Sequence, residues 1–271
     1  MDHVPSGWFR VCGVEEISKD GPHTFERFGI RLAVTLDAAC EPSVRVLATE
    51  DAAGCPHCAC GELGNIPYKR GRVLPACTRA GIVLAWYDHG GLKPAWVPSP
   101  VEWDPTLLID AVSLRSVFDS TPETVLLNYV DMRHFCSVHG NIVLPRVAVN
   151  YCGHCIEVVT FLDGPNGDGR MRTKIEGPGL IYQRWRRVIN MVFPIPLCPH
   201  RLEFVCWIIP TEPFDSPERE RDFRNYVERA SIGMKEDIAI WHHQRLPEIT
   251  AYCVEPEIKK LRDWYRSLVP G

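Results

Sequence analysis

Apolar residues recur along this chain with two different periods. From Pro217 onward, Phe223, Tyr226, Val227, Ala230, Met234, Ile238 and Trp241 fall at helical spacing and form one stripe. Asp215-Ser216-Pro217-Glu218 has the composition of a helix start, with Ser216 as N-cap and Pro217 at the first helical position. A long helix is therefore expected from Pro217 to about His243. Elsewhere the apolar runs are short and strand-like: Thr24 to Phe28, Arg31 to Leu36, Ile82 to Trp86, Val147 to Phe161, Leu180 to Phe193 and Leu202 to Ile209. Prolines 94, 98, 100 and 105 punctuate Leu92 to Pro105, which reads as a linker. The pattern predicts an α+β chain: a small β-rich unit over residues 1–98, then a larger unit over 99–271 in which an antiparallel sheet wraps a long C-terminal helix. Such an arrangement encloses an elongated cavity. Apolar candidates for its lining are Phe118, Val125, Phe135, Ile181, Met191, Phe193, Phe204 and Trp207, each of which is equally well explained as plain core packing.

Two places interrupt the apolar pattern with chemistry. Asp237 falls inside the helical stripe, whereas its neighbour Glu236 points away from it. A buried carboxylate is costly unless it is paired, protonated or bound to a metal. The second place is Leu127 to Gly140. Its twelve residues from Asn128 to His139 hold two histidines, a carboxylate and a carboxamide. Read as one helix, Asn128, Asp131 and His134 share a face, while His139 lies about 140° further round. The two imidazoles converge only if the helix ends between them, and Gly140 is a typical helix-stop residue. Asp131, one turn before His134, would then orient that ring as the outer shell of a metal site. Together His134, His139 and Asp237 make a two-histidine, one-carboxylate set, the facial triad of non-haem iron(II) enzymes. Ordinary hydrogen-bonded histidines and an Arg-paired aspartate are the bland alternative.

The spacing Asn128-x-x-Asp131-x-x-His134-x-x-x-x-His139 resembles the iron motif of Rieske-type non-haem iron oxygenases, in particular the branch of ketosteroid hydroxylases and cholesterol desaturases. Gly7-Trp8-Phe9-Arg10-Val11 resembles the start of the family's Rieske domain, and Gly81 to Asp88 the strand that closes it. Gly177-Pro178-Gly179, Lys235 to Trp241 and Leu261 to Tyr265 are similar to later landmarks of the catalytic domain. The resemblance implies a Rieske-like β domain followed by a helix-grip (START-like) catalytic domain, with Fe(2+) held by His134, His139 and Asp237. Asp131 would link electron delivery to the iron, and Asn128 would neighbour the site. Leu127 departs from the family, which often has Glu there. The implied activity is oxidation of a hydrophobic polycycle such as a sterol, terpenoid or polyketide. A redox-neutral isomerase, cyclase or lyase, or a non-catalytic carrier of hydrophobic ligands, is the alternative.

The cluster motif is the larger departure. A Rieske [2Fe–2S] centre needs two cysteines and two histidines, which the family supplies as Cys-x-His and, about sixteen residues on, Cys-x-x-His. Cys55-Pro56-His57 matches the first half. Cys77 is followed by Thr78, Arg79 and Ala80, and the next histidine is His89. No such cluster is expected, so electrons would come from the substrate, an external reductase or a full-length Rieske partner. Cys55, His57, Cys58 and Cys60 have zinc-binding side chains, but four ligands in one short loop would need strong strain, and a remnant of the lost cluster is the expected reading. Cys152-Gly153-His154-Cys155 has Cys-x-x-Cys spacing inside a strand-like run and reads as ordinary half-buried cysteine.

Charge and composition narrow the partners. A net charge of −4 without a basic run leaves no footprint for nucleic acid. No apolar run approaches the roughly twenty residues of a membrane span. Met1 to Pro5 lack the features of a secretory leader, and twelve cysteines without one fit a reducing cytoplasm. A homo-oligomer is left open.

Overall fold

The computed structural model describes residues 4–18, 21–49, 68–100, 104–162, 169–243 and 256–268. Cys55, His57, Cys58 and Cys60 lie outside the described residues. Among the described residues, fourteen strands and four α-helices form a β-rich α+β fold built on antiparallel sheets.

The first seven strands are β1 (Gly7–Gly13), β2 (His23–Arg27), β3 (Ile30–Leu36), β4 (Pro42–Thr49), β5 (Val73–Leu74), β6 (Ala76–Arg79) and β7 (Ile82–Tyr87). They make two small sheets, β1-β7-β6 and β2-β3-β4-β5, around a shared apolar core that includes Phe9, Phe28, Leu32 and Tyr87. The two segments that resemble the Rieske domain's start and end are hydrogen-bonded neighbours, with Trp8 opposite Trp86. Residues 92–100 contain no helix or strand.

The remaining strands are β8 (Val112–Asp119), β9 (Arg146–Cys152), β10 (Cys155–Leu162), β11 (Gly169–Glu176), β12 (Leu180–Trp185), β13 (Val188–Cys198) and β14 (Arg201–Pro210). They form one seven-stranded sheet in the order β8-β14-β13-β12-β11-β10-β9. Two expected strands are in fact hairpins. Val147 to Phe161 folds back at Gly153-His154, and Leu180 to Phe193 at Arg186-Arg187, where Gly153 and Arg186 both have positive φ. Two-residue hairpin turns require such backbone, which apolar alternation does not reveal.

The helices are α1 (Pro122–Leu127), α2 (Met132–Ser137), α3 (Pro217–His243) and α4 (Pro256–Ser267). Helix α3 has the expected ends, and the Ser216 hydroxyl accepts from the Arg219 N–H at 3.3 Å. Its whole apolar stripe packs with Phe118, Ile156, Ile181 and Phe204 on one face of the sheet. The other face, at β13 and β14, packs on Trp8, Leu84 and Trp86. Burial on both faces explains why β13 and β14 are almost continuously apolar.

Close backbone approach ties the two parts together. A Cβ on Gly179 would lie 2.3 Å from the Trp8 carbonyl, and one on Gly177 would meet the Trp96 ring at 2.7 Å. Charged contacts cross the same junction. Arg10 of β1 is 1% exposed, pairs with Glu16 and lies over Trp207. Glu16 also pairs with Arg115 of β8 at 2.8 Å, and Glu203 of β14 pairs with Arg27 at 2.9 Å.

Candidate metal centre

The Asn128 to His139 segment is two helices, not one. Helix α1 ends at Leu127, Asn128 caps it, and Asp131, in extended conformation, starts α2. Short polar side chains compete for local backbone groups, which favours helix ends at such residues. The Asp131 carboxylate accepts the Arg133 N–H at 3.1 Å and is therefore the N-cap of α2. Orientation of His134 falls to the Asp131 main-chain carbonyl, which contacts Nδ1 of the ring. The carboxylate expected in that role is occupied at the cap.

Helix α2 stops at Ser137, before His139, and the Asn141 N–H bonds back to the Phe135 carbonyl across Gly140, whose φ is +69°. This early stop lets the two imidazoles meet. Their centroids are 5.3 Å apart with rings nearly perpendicular. Asp237 arrives from α3, and donor atoms of His134, His139 and Asp237 all lie within 4.8 Å of one another. Both His134 and Asp237 are buried, while the His139 side chain is partly open.

Each ring presents the same edge. A carbonyl can only accept, so the hydrogen shared by His134 and Asp131 sits on Nδ1 and leaves the Nε2 lone pair free. His139 directs Nδ1 to Glu236 Oε2 at 3.3 Å and Nε2 to Asp237 Oδ1 at 3.3 Å. Asn128 Nδ2 donates to Asp237 Oδ2 at 3.2 Å, fixing the carboxylate from the other side. Glu236 escaped the sequence reading because it lies off the apolar stripe; its exposed flank of α3 is where His139 docks.

The electrostatics fit a cation. Burial pushes the Asp237 carboxyl up to about 6, against the pull of His139 and Asn128. Burial also lowers the His134 imidazole, which favours the neutral ligand form. A carboxylate that burial disfavours as an anion, beside a His134 imidazole that burial favours as the neutral ligand, suits a divalent ion such as iron(II).

The centre opens onto a cavity of about 860 Å³ between α3 and strands β11 to β13. Phe135, Trp185, Phe214 and Tyr226 supply apolar wall. Asn190 Nδ2 donates to Gln183 Oε1 at 2.9 Å and to the Tyr226 hydroxyl at 2.8 Å, a polar cluster inside that wall. Of the expected lining residues only Phe135 borders this cavity. Ile181, Met191 and Phe193 border a separate 390 Å³ cavity, Phe118 and Phe204 border a third, and Val125 and Trp207 are buried in the core. Apolarity marked them as buried, but the packing of distant elements decides which cavity they meet.

Residues 85–268 match the sequence model of the 3-ketosteroid 9alpha-hydroxylase C-terminal domain. The chain belongs to this family. It is 21% identical to the oxygenase component of the 3-ketosteroid-9-alpha-monooxygenase of Mycolicibacterium smegmatis, across 98% of this chain and 82% of that one. Among solved structures, dicamba monooxygenase bound to dicamba superposes with a TM-score of 0.65 at 12% identity, covering 99% of this chain and 98% of that one. The quaternary ammonium Rieske monooxygenase CntA superposes with a TM-score of 0.56 at 10% identity, covering 88% and 78%. These two share its fold. The chain is thus a relative of the Rieske-type non-haem iron oxygenases, and its enzymatic class is oxygenase. Among the described residues no helix is long and apolar enough to cross a membrane.

Proposed function

We propose that this chain is an iron(II)-dependent oxygenase that oxidises a hydrophobic polycyclic molecule of sterol, terpenoid or polyketide type, without a Rieske cluster of its own. The observation that carries the reading is the meeting of His134, His139 and Asp237 at the edge of the 860 Å³ cavity. His134 and His139 would hold the metal through Nε2, and Asp237 through its carboxylate, with Asn128, Asp131 and Glu236 orienting them. Iron(II) at this position supplies activation of dioxygen.

The surrounding residues do the selecting. Trp185, Phe214 and Tyr226 remove an apolar ring system from water beside the centre. The Tyr226 hydroxyl, positioned by Asn190 Nδ2, would hold one polar substituent of that ring system. Residues 1–98 form the Rieske-like unit and 99–271 the helix-grip catalytic unit in this reading. Absence of the cluster is supported by the missing second half-motif: Cys77 lies in β6, where burial raises its thiol, and no histidine follows nearby. Electrons then come from an external reductase, a full-length Rieske partner or the substrate, and the expected location is the cytoplasm.

Oxygen consumption tests the reading. Iron(II)-loaded protein is incubated with a panel of ketosteroids, with and without a ferredoxin-type reductase. Oxygen uptake coupled to product formation in the wild type and its loss in His134→Ala are expected. Equal turnover under anaerobic conditions would point to a redox-neutral enzyme, and tight ligand binding without turnover in either protein to a carrier.

A further inference from the structure

The hairpin between β9 and β10 carries donor groups that the iron centre does not use. Cys152 and Cys155 face each other across its Gly153-His154 turn, and Cys155 is also opposite Glu176 of β11. Side chains alternate along a strand. Tyr151, Ile156 and Ile175 pack into the core under α3. Cys152, Cys155 and Glu176 therefore stand in one row on the opposite face of the sheet, away from the iron centre. His154 lies beside this row, with Nε2 3.8 Å from Glu176 Oε1 and its ring stacked on Trp96 at 4.6 Å. Donor atoms of His154, Cys155 and Glu176 all lie within 4.8 Å of one another, and Glu176 is 7% exposed.

The carboxylate is held in place from the linker. Glu176 Oε1 accepts from the Ser99 N–H at 2.8 Å and the Ser99 hydroxyl at 3.1 Å, and Lys174 Nζ donates to Ser99 Oγ at 2.8 Å. Turn, strand and linker thus converge on one point through unrelated backbone segments.

We propose that His154, Cys155 and Glu176, with Cys152 as fourth donor, form a second metal site that takes a soft divalent cation of the zinc class. Sulfur and imidazole donors favour zinc, whereas the two-imidazole, one-carboxylate centre favours iron(II). Metal–ligand bonds of about 2.0 to 2.3 Å bring donors to within about 4 Å of each other, a small contraction for His154, Cys155 and Glu176, while the exposed Cys152 side chain turns in from the hairpin to complete the set. Bound metal would staple the edge hairpin to β11 and, through Trp96 and Ser99, to the linker.

Cobalt(II) titration of the purified full-length chain under reducing conditions tests this. Thiolate-to-cobalt charge transfer reports only sulfur ligation, so the iron centre is silent. A variant with Cys55, Cys58 and Cys60 all changed to serine removes the cysteines that are clustered in sequence before Gly61. The band is expected in the wild type and in that triple variant, with affinity lowered more than about tenfold in Cys155→Ser, Cys152→Ser and His154→Ala. His154→Ala, a change in a surface turn, keeps the test valid if a cysteine variant fails to fold. No band in the wild type, or a band lost in the triple variant and kept in Cys155→Ser, would overturn the proposal.

Discussion

His139 and Glu236 meet at 3.3 Å, Nδ1 to Oε2, although Glu236 projects from the exposed flank of α3. An ionised carboxylate accepts only, so it places the imidazole hydrogen on Nδ1 and turns Nε2 toward Asp237. Glu236→Ala is expected to weaken iron(II) binding by about tenfold with little change in thermal stability. Glu236→Gln, which can still accept through its carbonyl oxygen, should retain most of the affinity. Iron titration of both variants checks this; equal affinity in Glu236→Ala would remove the residue from the site.

Asp237→Ala should abolish stoichiometric iron(II), because it removes the only carboxylate of the triad. The loss should come without global unfolding, since burial already disfavours this carboxylate in the metal-free chain. Metal analysis alongside circular dichroism separates the two effects. Equal iron in variant and wild type would exclude Asp237 as a ligand.

Glu16 connects Arg10 and Arg115 across the junction of the β-rich unit and the large sheet. Burial pulls its carboxyl upward, but hydrogen bonds from Arg115 and the Gly13 N–H and the charges of Arg10 and Arg115 outweigh this, so the net shift is downward from 4.5. A carboxyl lowered in the folded state stabilises the fold above its ordinary value, and that contribution is lost as pH falls through the folded value. Glu16→Gln should therefore destabilise the chain at neutral pH by roughly 3 kcal/mol, mainly by leaving the buried Arg10 charge unpaired. Its stability should also fall less steeply below pH 4.5 than that of the wild type. Urea denaturation at several pH values measures both.

Gly233 lies mid-way along α3, and a Cβ there would sit 3.5 Å from His139 Cε1, an ordinary contact. Gly233→Ala should stabilise the helix by about 1 kcal/mol and preserve iron binding. Gly233→Leu should crowd the ring and lower iron affinity. Thermal melts and iron titration together check the pair.

Protein reconstituted anaerobically with iron and sulfide should bind iron without acid-labile sulfide and without the visible absorption of a [2Fe–2S] centre. Cys55-Pro56-His57 lacks the second Cys-x-x-His half of the motif. Stoichiometric sulfide would refute the expectation.

Helix α3 was legible to its ends, because a buried stripe, an N-cap and an N1 proline are all local signals. The grouping of His134, His139 and Asp237 was legible too, since an acid on an apolar face and histidines flanking a helix stop stand out against their surroundings. By itself the chain therefore specified its periodicity and its unusual polar positions. The hairpins at Gly153-His154 and Arg186-Arg187 were hidden, because apolar alternation runs on through both turns and pairing with distant strands sets their register. The tertiary structure alone decided which groups orient His134 and His139. The Asp131 carbonyl acts through a backbone break between two helices, and Glu236 reaches His139 across 97 residues of sequence only because the turn after α2 meets α3. Such contacts depend on how elements pack, and no local pattern encodes that.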